Sequence, residues 1–188
     1  AILLFIISIY FIFIGLYKNP SFKEDFLTLI KQPGRLVSDF YLLYGKTCYF
    51  NMGILCLLST ILVLVLKSHL NGPTIAGIFT IVGFGAFGKH ILNVTPIFIG
   101  AILGALVHIN PINSPSLIIS ILFSTALAPI AGRFGYKVGI LAGFLHVNMV
   151  TNIGYLHGGL NLYNNGLAAG FVAMILIPVI NVFEKEAA

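Results

Sequence analysis

The sequence predicts an all-α fold, a polytopic bundle of transmembrane helices, and three observations support it. Mean hydropathy is +1.04. Charged residues make up only 8% of the chain, whereas soluble domains carry roughly 25%. The apolar residues also collect into long runs separated by short polar segments. A surface so poor in charge indicates that hydrocarbon surrounds most of it, so we expect a single transmembrane domain over residues 1–188.

Seven apolar runs are candidate spans, because about 20 residues cross the hydrocarbon core of a bilayer. They are 1–17, 47–67, 73–88, 96–108, 116–131, 137–156 and 166–183. The first run lacks the basic flank and cleavage site of a signal peptide, so we interpret it as a span. The third and fourth runs are short. They leave open an alternative with five spans and a re-entrant helical pair at 73–108.

The long connection after the first span contains an amphipathic segment at 21–32. Its apolar positions share one helical face: Phe22, Phe26, Leu29 and Ile30. This pattern predicts a helix in the membrane interface, and an ordered cytoplasmic loop is the alternative. Ser21 followed by Glu24 predicts a capping box at its start. Pro33 and Gly34 predict its end.

The basic residues predict the orientation, since cytoplasmic loops of membrane proteins are rich in Lys and Arg. If all seven runs cross with the N-terminus outside, nine of the ten basic residues fall inside. These are Lys18, Lys23, Lys31, Arg35, Lys46, Lys89, Arg133, Lys137 and Lys185. We therefore expect a multi-pass protein of the cell membrane with a cytoplasmic C-terminus. The net charge of +5 then reflects loops beside anionic lipid and not nucleic-acid binding.

Glycines at four-residue spacing predict close helix crossings, because small residues let backbones approach in lipid. The sets are Gly100 and Gly104; Gly135, Gly139 and Gly143; and Gly166 and Gly170. Pro96 suits the first turn of a helix, whereas Pro129 and Pro178 lie inside spans and predict kinks or breaks.

A weak internal sequence similarity links the two halves of the chain. Asn71–Gly72 and Asn165–Gly166 lie 94 residues apart, and each opens a span. The similarity is compatible with a repeat of 1–94 in 95–188, an arrangement common in transporters. The alternative is that Asn-Gly occurs at both places only because Asn favours the start of a helix.

Polar residues of the sixth span predict a solute pathway. Asn148, Thr151, Asn152 and Tyr155 share one helical face by their i, i+3, i+4, i+7 spacing. Polar side chains within a membrane usually face a bundle interior or a water-filled cavity. Amides and hydroxyls without charge suit an uncharged solute. The alternative is that they join helices by hydrogen bonds.

An uncharged outer loop follows this stripe and leads into the last span. Its candidate binding residues are His157, Asn161, Tyr163, Asn164, Asn165 and Gly166. Free N–H groups at a helix N-terminus attract anions and carbonyl dipoles, so we expect a binding site where this span begins. A Gly- and Asn-rich turn with a cap is the alternative.

Lys89, His90 and Asn93 form a second candidate site, directly after the glycine-rich GFGAFG. If the two short runs cross, Lys89 and His90 are snorkelling residues at the inner interface. If the runs are re-entrant, they become ionisable groups at depth, and His90 is a proton-sensitive group.

Signatures of enzymes and metal sites are missing from the sequence. It contains neither GxSxG nor HExxH, and its five His residues show no metal-ligand spacing. All five acidic residues lie in predicted loops or the tail, which argues against a proton or sodium relay. We therefore expect no enzymatic activity, no cofactor and no metal.

Three segments carry a resemblance to a prokaryotic membrane family: NGPTIAGIFTIVGFGAFGKHILNVTPIFIG, STALAPIAG and GGLNLYNNGLAAGFVA. The chain resembles the family of unknown function numbered 1576 over roughly 35–183, and members of that family are longer. The matched positions are Gly88, Lys89, Asn93, Asn161, Leu162, Tyr163, Asn164 and Gly166. A fainter similarity, through Asn164-Asn165-Gly166-Leu167, is to urea-transporter-type channels, although their paired proline-threonine pore motif is not evident here.

The sequence thus predicts a transporter or channel subunit for a small polar, uncharged solute. The stripe at 148–155 would line the pathway, and the loop at 161–166 would form its mouth. Seven short helices are few for a closed pathway, so we expect a homo-oligomer, most simply a dimer. The alternative is a non-transporting scaffold or assembly subunit.

Overall fold

The computed structural model describes residues 1–35, 39–154 and 161–186, which are helical with no strand. The helices are α1 (Ile2–Leu16), α2 (Phe22–Leu29), α3 (Phe40–Tyr44), α4 (Thr47–Val65), α5 (Gly72–Phe84), α6 (Ile91–Leu106), α7 (Pro115–Phe123), α8 (Ala128–Phe134), α9 (Tyr136–Val150) and α10 (Asn161–Glu186). A 3₁₀ turn, Ser124–Leu127, joins α7 to α8. The predicted all-α class is confirmed.

Three helical stretches are long and apolar enough to cross a membrane by length and composition. They are Thr47–Val65, Pro115–Phe134 and Tyr163–Phe183. The shorter apolar helices α1, α5, α6 and α9 coincide with the remaining predicted runs. The apolar helices thus fit the predicted membrane protein, with three clear candidate spans.

Two helices begin earlier than the sequence predicts. α6 begins at Ile91, so Pro96 lies inside the helix and not in its first turn. The polar residues before Pro96 suggested a loop, but Asn93 accepts a hydrogen bond from the His90 N–H (2.9 Å) and so starts the helix. α10 begins at Asn161 and not near Gly166. The predicted outer loop over 161–165 is therefore wrong.

The closest helix crossing joins α6 to α9, and the predicted glycine pairs form it. A Cβ at Gly100 would collide with the Ile140 carbonyl, and one at Gly143 with the Ile97 carbonyl. Gly104 meets Phe144 in the same way. Gly100 meets Ile140, and one turn later on both helices Gly104 meets Phe144, so α6 and α9 run parallel. The prediction of a tight crossing is confirmed here, because backbone meets backbone.

Gly139 is also tightly packed, since a Cβ there would lie 2.6 Å from the Ala131 Cβ, but the remaining predicted positions, Gly135, Gly166 and Gly170, make no such crossing within the described residues. Gly135 joins α8 to α9 with a φ of +88°, and no atom lies within 4 Å of a Cβ built there. Gly166 and Gly170 likewise meet nothing within that distance. A second close crossing, between α1 and α4, uses Gly15 and Gly53 instead. One glycine on each helix leaves no spacing pattern to detect.

The proline in the fifth span breaks its helix, as predicted. Pro129 follows the 3₁₀ turn at Ser124–Leu127 that separates α7 from α8. Ser124 and Thr125 donate their hydroxyls to the carbonyls three residues earlier, at 2.6 and 2.8 Å. Pro178, by contrast, lies within α10 without ending it.

The amphipathic segment forms α2, and its aromatic face packs on the bundle. The rings of Phe22 and Phe26 lie edge-on to Phe50 of α4, with centroids 4.7 and 5.0 Å away. Leu29 is fully buried. The predicted capping box is wrong, because the Ser21 hydroxyl donates to the Asp25 carboxylate (2.6 Å) and caps no backbone N–H.

Replacing Gly100 with Ala should destabilise the α6–α9 crossing. The added methyl must displace the backbone of α9, and overpacking of this kind costs about 1–3 kcal/mol or more. Thermal unfolding in detergent should show a clear fall in Tm. Gly83→Ala is the matched control, since Gly83 has open space around it. An equal fall for both variants would contradict a crossing set by Gly100.

Candidate functional site

The connection Gly85–His90, between α5 and α6, is fixed by hydrogen bonds from distant parts of the chain. The buried amide of Asn51, on α4, donates to the carbonyls of Gly85 (2.7 Å) and Lys89 (2.8 Å). The backbone N–H of Phe40 donates to the Ala86 carbonyl (2.9 Å). Asn51, which lies 34 and 38 positions from its two acceptors, and Phe40 thereby supply partners that the backbone of this connection requires.

His90 and Asn93 make further hydrogen bonds that hold this connection in place. The Asn93 amide donates to the Gly88 carbonyl (2.9 Å) while its oxygen accepts from the His90 N–H. His90 Nε2 lies 2.7 Å from the Gln32 carbonyl. A carbonyl only accepts, so this nitrogen carries the proton. Burial lowers the pKa of His90, and the bond to Gln32 opposes that shift. His90 is therefore a structural residue of this loop.

Two glycines allow the connection to meet the segment before α3. Gly88 has a φ of +117°, which side-chain-bearing residues rarely adopt. Gly34 faces it so closely that a Cβ there would lie 2.6 Å from the Gly88 carbonyl oxygen. The two backbones therefore touch, which brings Arg35 to the same place as Lys89.

Lys89 points into the bundle toward the 3₁₀ turn. Its ammonium lies 2.9 Å from the Thr125 hydroxyl and 4.9 Å from the centroid of the Phe84 ring. Thr125 donates its own proton to the Leu122 carbonyl, so it accepts from Lys89. Burial lowers the pKa of Lys89 from 10.5 to about 7. The interpretation of Lys89 as a snorkelling residue is wrong, because its ammonium turns inward.

A cavity of about 440 Å³ lies beside this ammonium. Its wall is formed by α5, by the turn around Ala126, by the start of α10 and by both glycine segments. The lining residues are Gly34, Arg35, Thr80, Phe84, Phe87, Gly88, Lys89, Phe123, Ala126, Pro129, Asn165 and Gly166. The volume falls within the range of small-molecule sites. The cavity combines a mostly aromatic and apolar wall with two cationic side chains.

The cavity joins parts of both predicted sites. Lys89 comes from the second candidate, and Asn165 and Gly166 come from the predicted loop before the last span. Asn165 and Gly166 lie in the second turn of α10, so they contribute a helix side and not a helix N-terminus. The Asn165 carbonyl lies 3.2 Å from Nε2 of the buried His146 on α9.

The polar side chains of the predicted pathway stripe donate hydrogen bonds to backbone carbonyls one turn earlier. The amide of Asn148 donates to the Phe144 carbonyl (2.9 Å), and that of Asn152 donates to the Asn148 carbonyl (2.7 Å). The Thr151 hydroxyl donates to the Val147 carbonyl (3.0 Å). None of the three lines the cavity. The predicted helix does not continue through the stripe, because α9 ends at Val150 and Thr151 and Asn152 follow it. These donors are already used one turn back.

The remaining predicted residues have different positions. Tyr155 and His157 lie outside the described residues. Asn161 begins α10, Tyr163 is exposed, and Asn164 is buried. Asn71 caps α5 through the Thr74 N–H (3.0 Å), whereas Asn165 lies within a helix. The two Asn-Gly pairs thus differ locally, and the internal repeat stays a prediction.

Sequence reasoning missed the residues that connect these parts. Asn51 is an amide within a span, a signal for a buried polar role that the sequence does contain. Thr125 lies four residues before Pro129, within the 3₁₀ turn that interrupts the helix. Arg35, Thr80 and Phe84 carried no signal, since only folding brings them to the cavity. Within the described residues, no group of three His, Cys, Asp or Glu side chains is placed to hold a metal ion.

Comparison with known proteins supplies the family. The family model described as Protein of unknown function (DUF1576) matches residues 18–182. The chain belongs to this family. The resemblance drawn from the sequence motifs is thereby confirmed, and the GFGAFGK part of the first motif includes the connection Gly85–His90 beside the cavity as far as Lys89. No curated protein and no solved structure matches the chain, so the similarity to urea-transporter-type channels is not shown.

Asn51→Leu should lower the stability of the protein, whereas Lys89→Met should not. Asn51→Leu leaves two carbonyls without their donor, and each buried unsatisfied group costs about 1–3 kcal/mol. We expect its Tm in detergent to fall by several degrees. Lys89→Met removes a buried cation that has no counter-ion among the described residues, so its Tm should stay equal or rise.

A fall in Tm for Lys89→Met as large as that for Asn51→Leu would contradict this assignment. Lys89 would then be one of the residues that stabilise the connection, and its side chain would not be available to a ligand. Both proteins should be compared in the same detergent by dye-based thermal unfolding, with helicity measured by circular dichroism.

Proposed function

We propose that the protein is a transporter or channel subunit for a small polar solute, and that the solute passes through the cavity beside Lys89. The observation that carries this proposal is a half-buried lysine that faces a cavity at a helix break. Transporters commonly bind their substrates at broken helices. Polar and ionisable groups within such bundles mark solute pathways more often than they add stability.

The helix directions support seven alternating crossings. α1 and α4 are antiparallel, since Gly15 meets Phe50 while Gly53 meets Ser8. α6 and α9 are parallel, with the α7–α8 stretch as the single return between them. This alternation suits the seven predicted spans with the N-terminus outside and the C-terminus in the cytoplasm. Lys89 and Arg35 would then lie toward the cytoplasmic side of the cell membrane.

The proposed pathway differs from the predicted one because of hydrogen-bond availability. Asn148 and Asn152 use their amide protons on backbone carbonyls of their own helix, so a solute would have to displace those bonds. The Lys89 ammonium has three donors and one hydroxyl partner among the described residues. A polar solute therefore gains more beside Lys89 than beside the stripe.

Ala126→Trp should block flux through the protein. Ala126 is exposed to the cavity, and an indole there fills much of its volume without displacing a buried side chain. We expect flux in proteoliposomes to fall at least tenfold, measured for a panel of glycerol, urea and 2-naphthalenesulfonate. Ala76→Trp is the matched control, since Ala76 is exposed on α5 outside the cavity.

Unblocked flux in Ala126→Trp would place the pathway elsewhere in the molecule. Lack of flux in the unaltered protein for every solute of the panel would instead favour a non-transporting role. Equal loss in both tryptophan variants would indicate damage to the fold, which a thermal unfolding measurement on each variant tests separately.

A scaffold or assembly subunit is the second candidate, and the surface of α10 favours it. Gly170 lies on this helix with open space above it, and the candidate span is only 22% buried. We propose that this face pairs with a second copy. Gly170→Leu should then convert a dimer into a monomer in detergent, as measured by light scattering. An unchanged mass would rule out pairing through this face.

A further inference from the structure

We propose that the cavity binds a small organic oxyanion, a carboxylate, phosphate or sulfonate on an apolar body, through the ammonium of Lys89. The inference rests on the proposed function and narrows its solute from any polar molecule to an anion. It departs from the uncharged solute that the sequence suggested, and three features of the cavity support it.

The first feature is the unused hydrogen-bonding capacity of Lys89. An ammonium has three N–H donors and no acceptor. The Thr125 hydroxyl takes one donor, and the Phe84 ring covers another side of the group. No other hydrogen-bond partner of the ammonium lies among the described residues, and Lys89 is one of the residues that line the cavity. An oxyanion placed there accepts a charge-assisted hydrogen bond, the strongest class available to this group.

The second feature is the absence of a carboxylate that neutralises the site. None of the described acidic side chains lies within salt-bridge distance of Lys89 or Arg35. Asp25 accepts from Ser21, and Asp39 caps α3. Glu184 and Glu186, whose side chains lie outside the described part, follow Asn165 on α10 by at least 19 residues. That separation is about 28 Å along a helix, so a bound anion is the available counter-charge.

The third feature is the composition of the wall. Phe84, Phe87 and Phe123 line the cavity together with Pro129 and Ala126. Such a wall binds apolar surface and not a hydration shell. A cavity of about 440 Å³ is also far larger than a simple inorganic ion. The ligand is therefore an anion with an apolar body, whose charged end meets Lys89 and Arg35.

A matched pair of probes tests the requirement for charge. 2-Naphthalenesulfonate and 2-naphthalenesulfonamide have nearly the same shape, but only the first is permanently anionic. We expect the purified full chain in neutral detergent to bind the sulfonate at least tenfold more tightly by calorimetry. Equal affinity for the two probes would overturn the inference.

Lys89→Met tests the residue itself, with Lys137→Met as the matched control because Lys137 is exposed on α9 outside the cavity. Loss of one charge-assisted hydrogen bond should weaken sulfonate binding about tenfold to hundredfold. Sulfonamide binding should change little. Unchanged sulfonate binding in Lys89→Met, or the same loss in Lys137→Met, would overturn the assignment.

The pH profile provides a second readout that does not depend on a variant. The sulfonate stays ionised over this range, and Arg35 is the other charged residue of the lining. His90 is bonded to Gln32 and lies outside the lining. Sulfonate affinity should therefore decrease as pH rises above neutrality and Lys89 loses its proton. A flat profile between pH 6 and 9 would contradict the role of Lys89.

Two sources of oxyanion are distinguished by the lipid. In nanodiscs, phosphatidylglycerol should weaken sulfonate binding relative to phosphatidylcholine if a lipid headgroup occupies the cavity. Equal affinity in both lipids assigns the site to a free solute. Either result keeps the anion site. Sulfonate binding by a protein that transports no solute of the panel in proteoliposomes would refute the proposed function and leave this inference standing.

Discussion

The connection between α5 and α6 packs among neighbouring helices, with Gly85, Gly88 and His90 buried away from water. Such a segment is tolerated only when protein groups pair with it. Asn51 meets this requirement at Gly85 and Lys89, the Phe40 backbone at Ala86, and Asn93 at Gly88. These partners come from three separate segments of the chain. The position of everything beside the cavity depends on this set of bonds.

The same constraint explains why a lysine is found inside the bundle. The carbonyl of Lys89 is one of the two that Asn51 holds, so its side chain leaves a fixed backbone toward the 3₁₀ turn. Pro129 lacks an N–H, and the helix break before it exposes the Thr125 hydroxyl to Lys89. Two irregular segments thus meet, one from a loop and one from an interrupted helix. Irregular backbone of this kind is typical of solute sites in membrane proteins.

The predicted stripe at 148–155 shows the limit of periodicity as a guide to function. Helical spacing placed Asn148, Thr151 and Asn152 on a common face, but spacing says nothing about whether donors are free. Each of the three bonds to its own backbone one turn earlier, as short polar side chains often do in helices. The residues of the cavity share no period, because they come from four helices, the 3₁₀ turn and two connecting segments.

The sequence by itself determined the class of the protein. Its apolar runs, sparse charge and paired glycines follow from the physics of lipid solvation, which acts on each helix separately, and they predicted an all-α bundle and the α6–α9 crossing. The family motif also pointed to Lys89 and Asn93. Only the tertiary structure decided that Lys89 turns inward, that α10 begins at Asn161, and that Arg35, Thr80 and Asn165 share one cavity. Those outcomes depend on contacts between residues far apart in the chain, which no local pattern encodes.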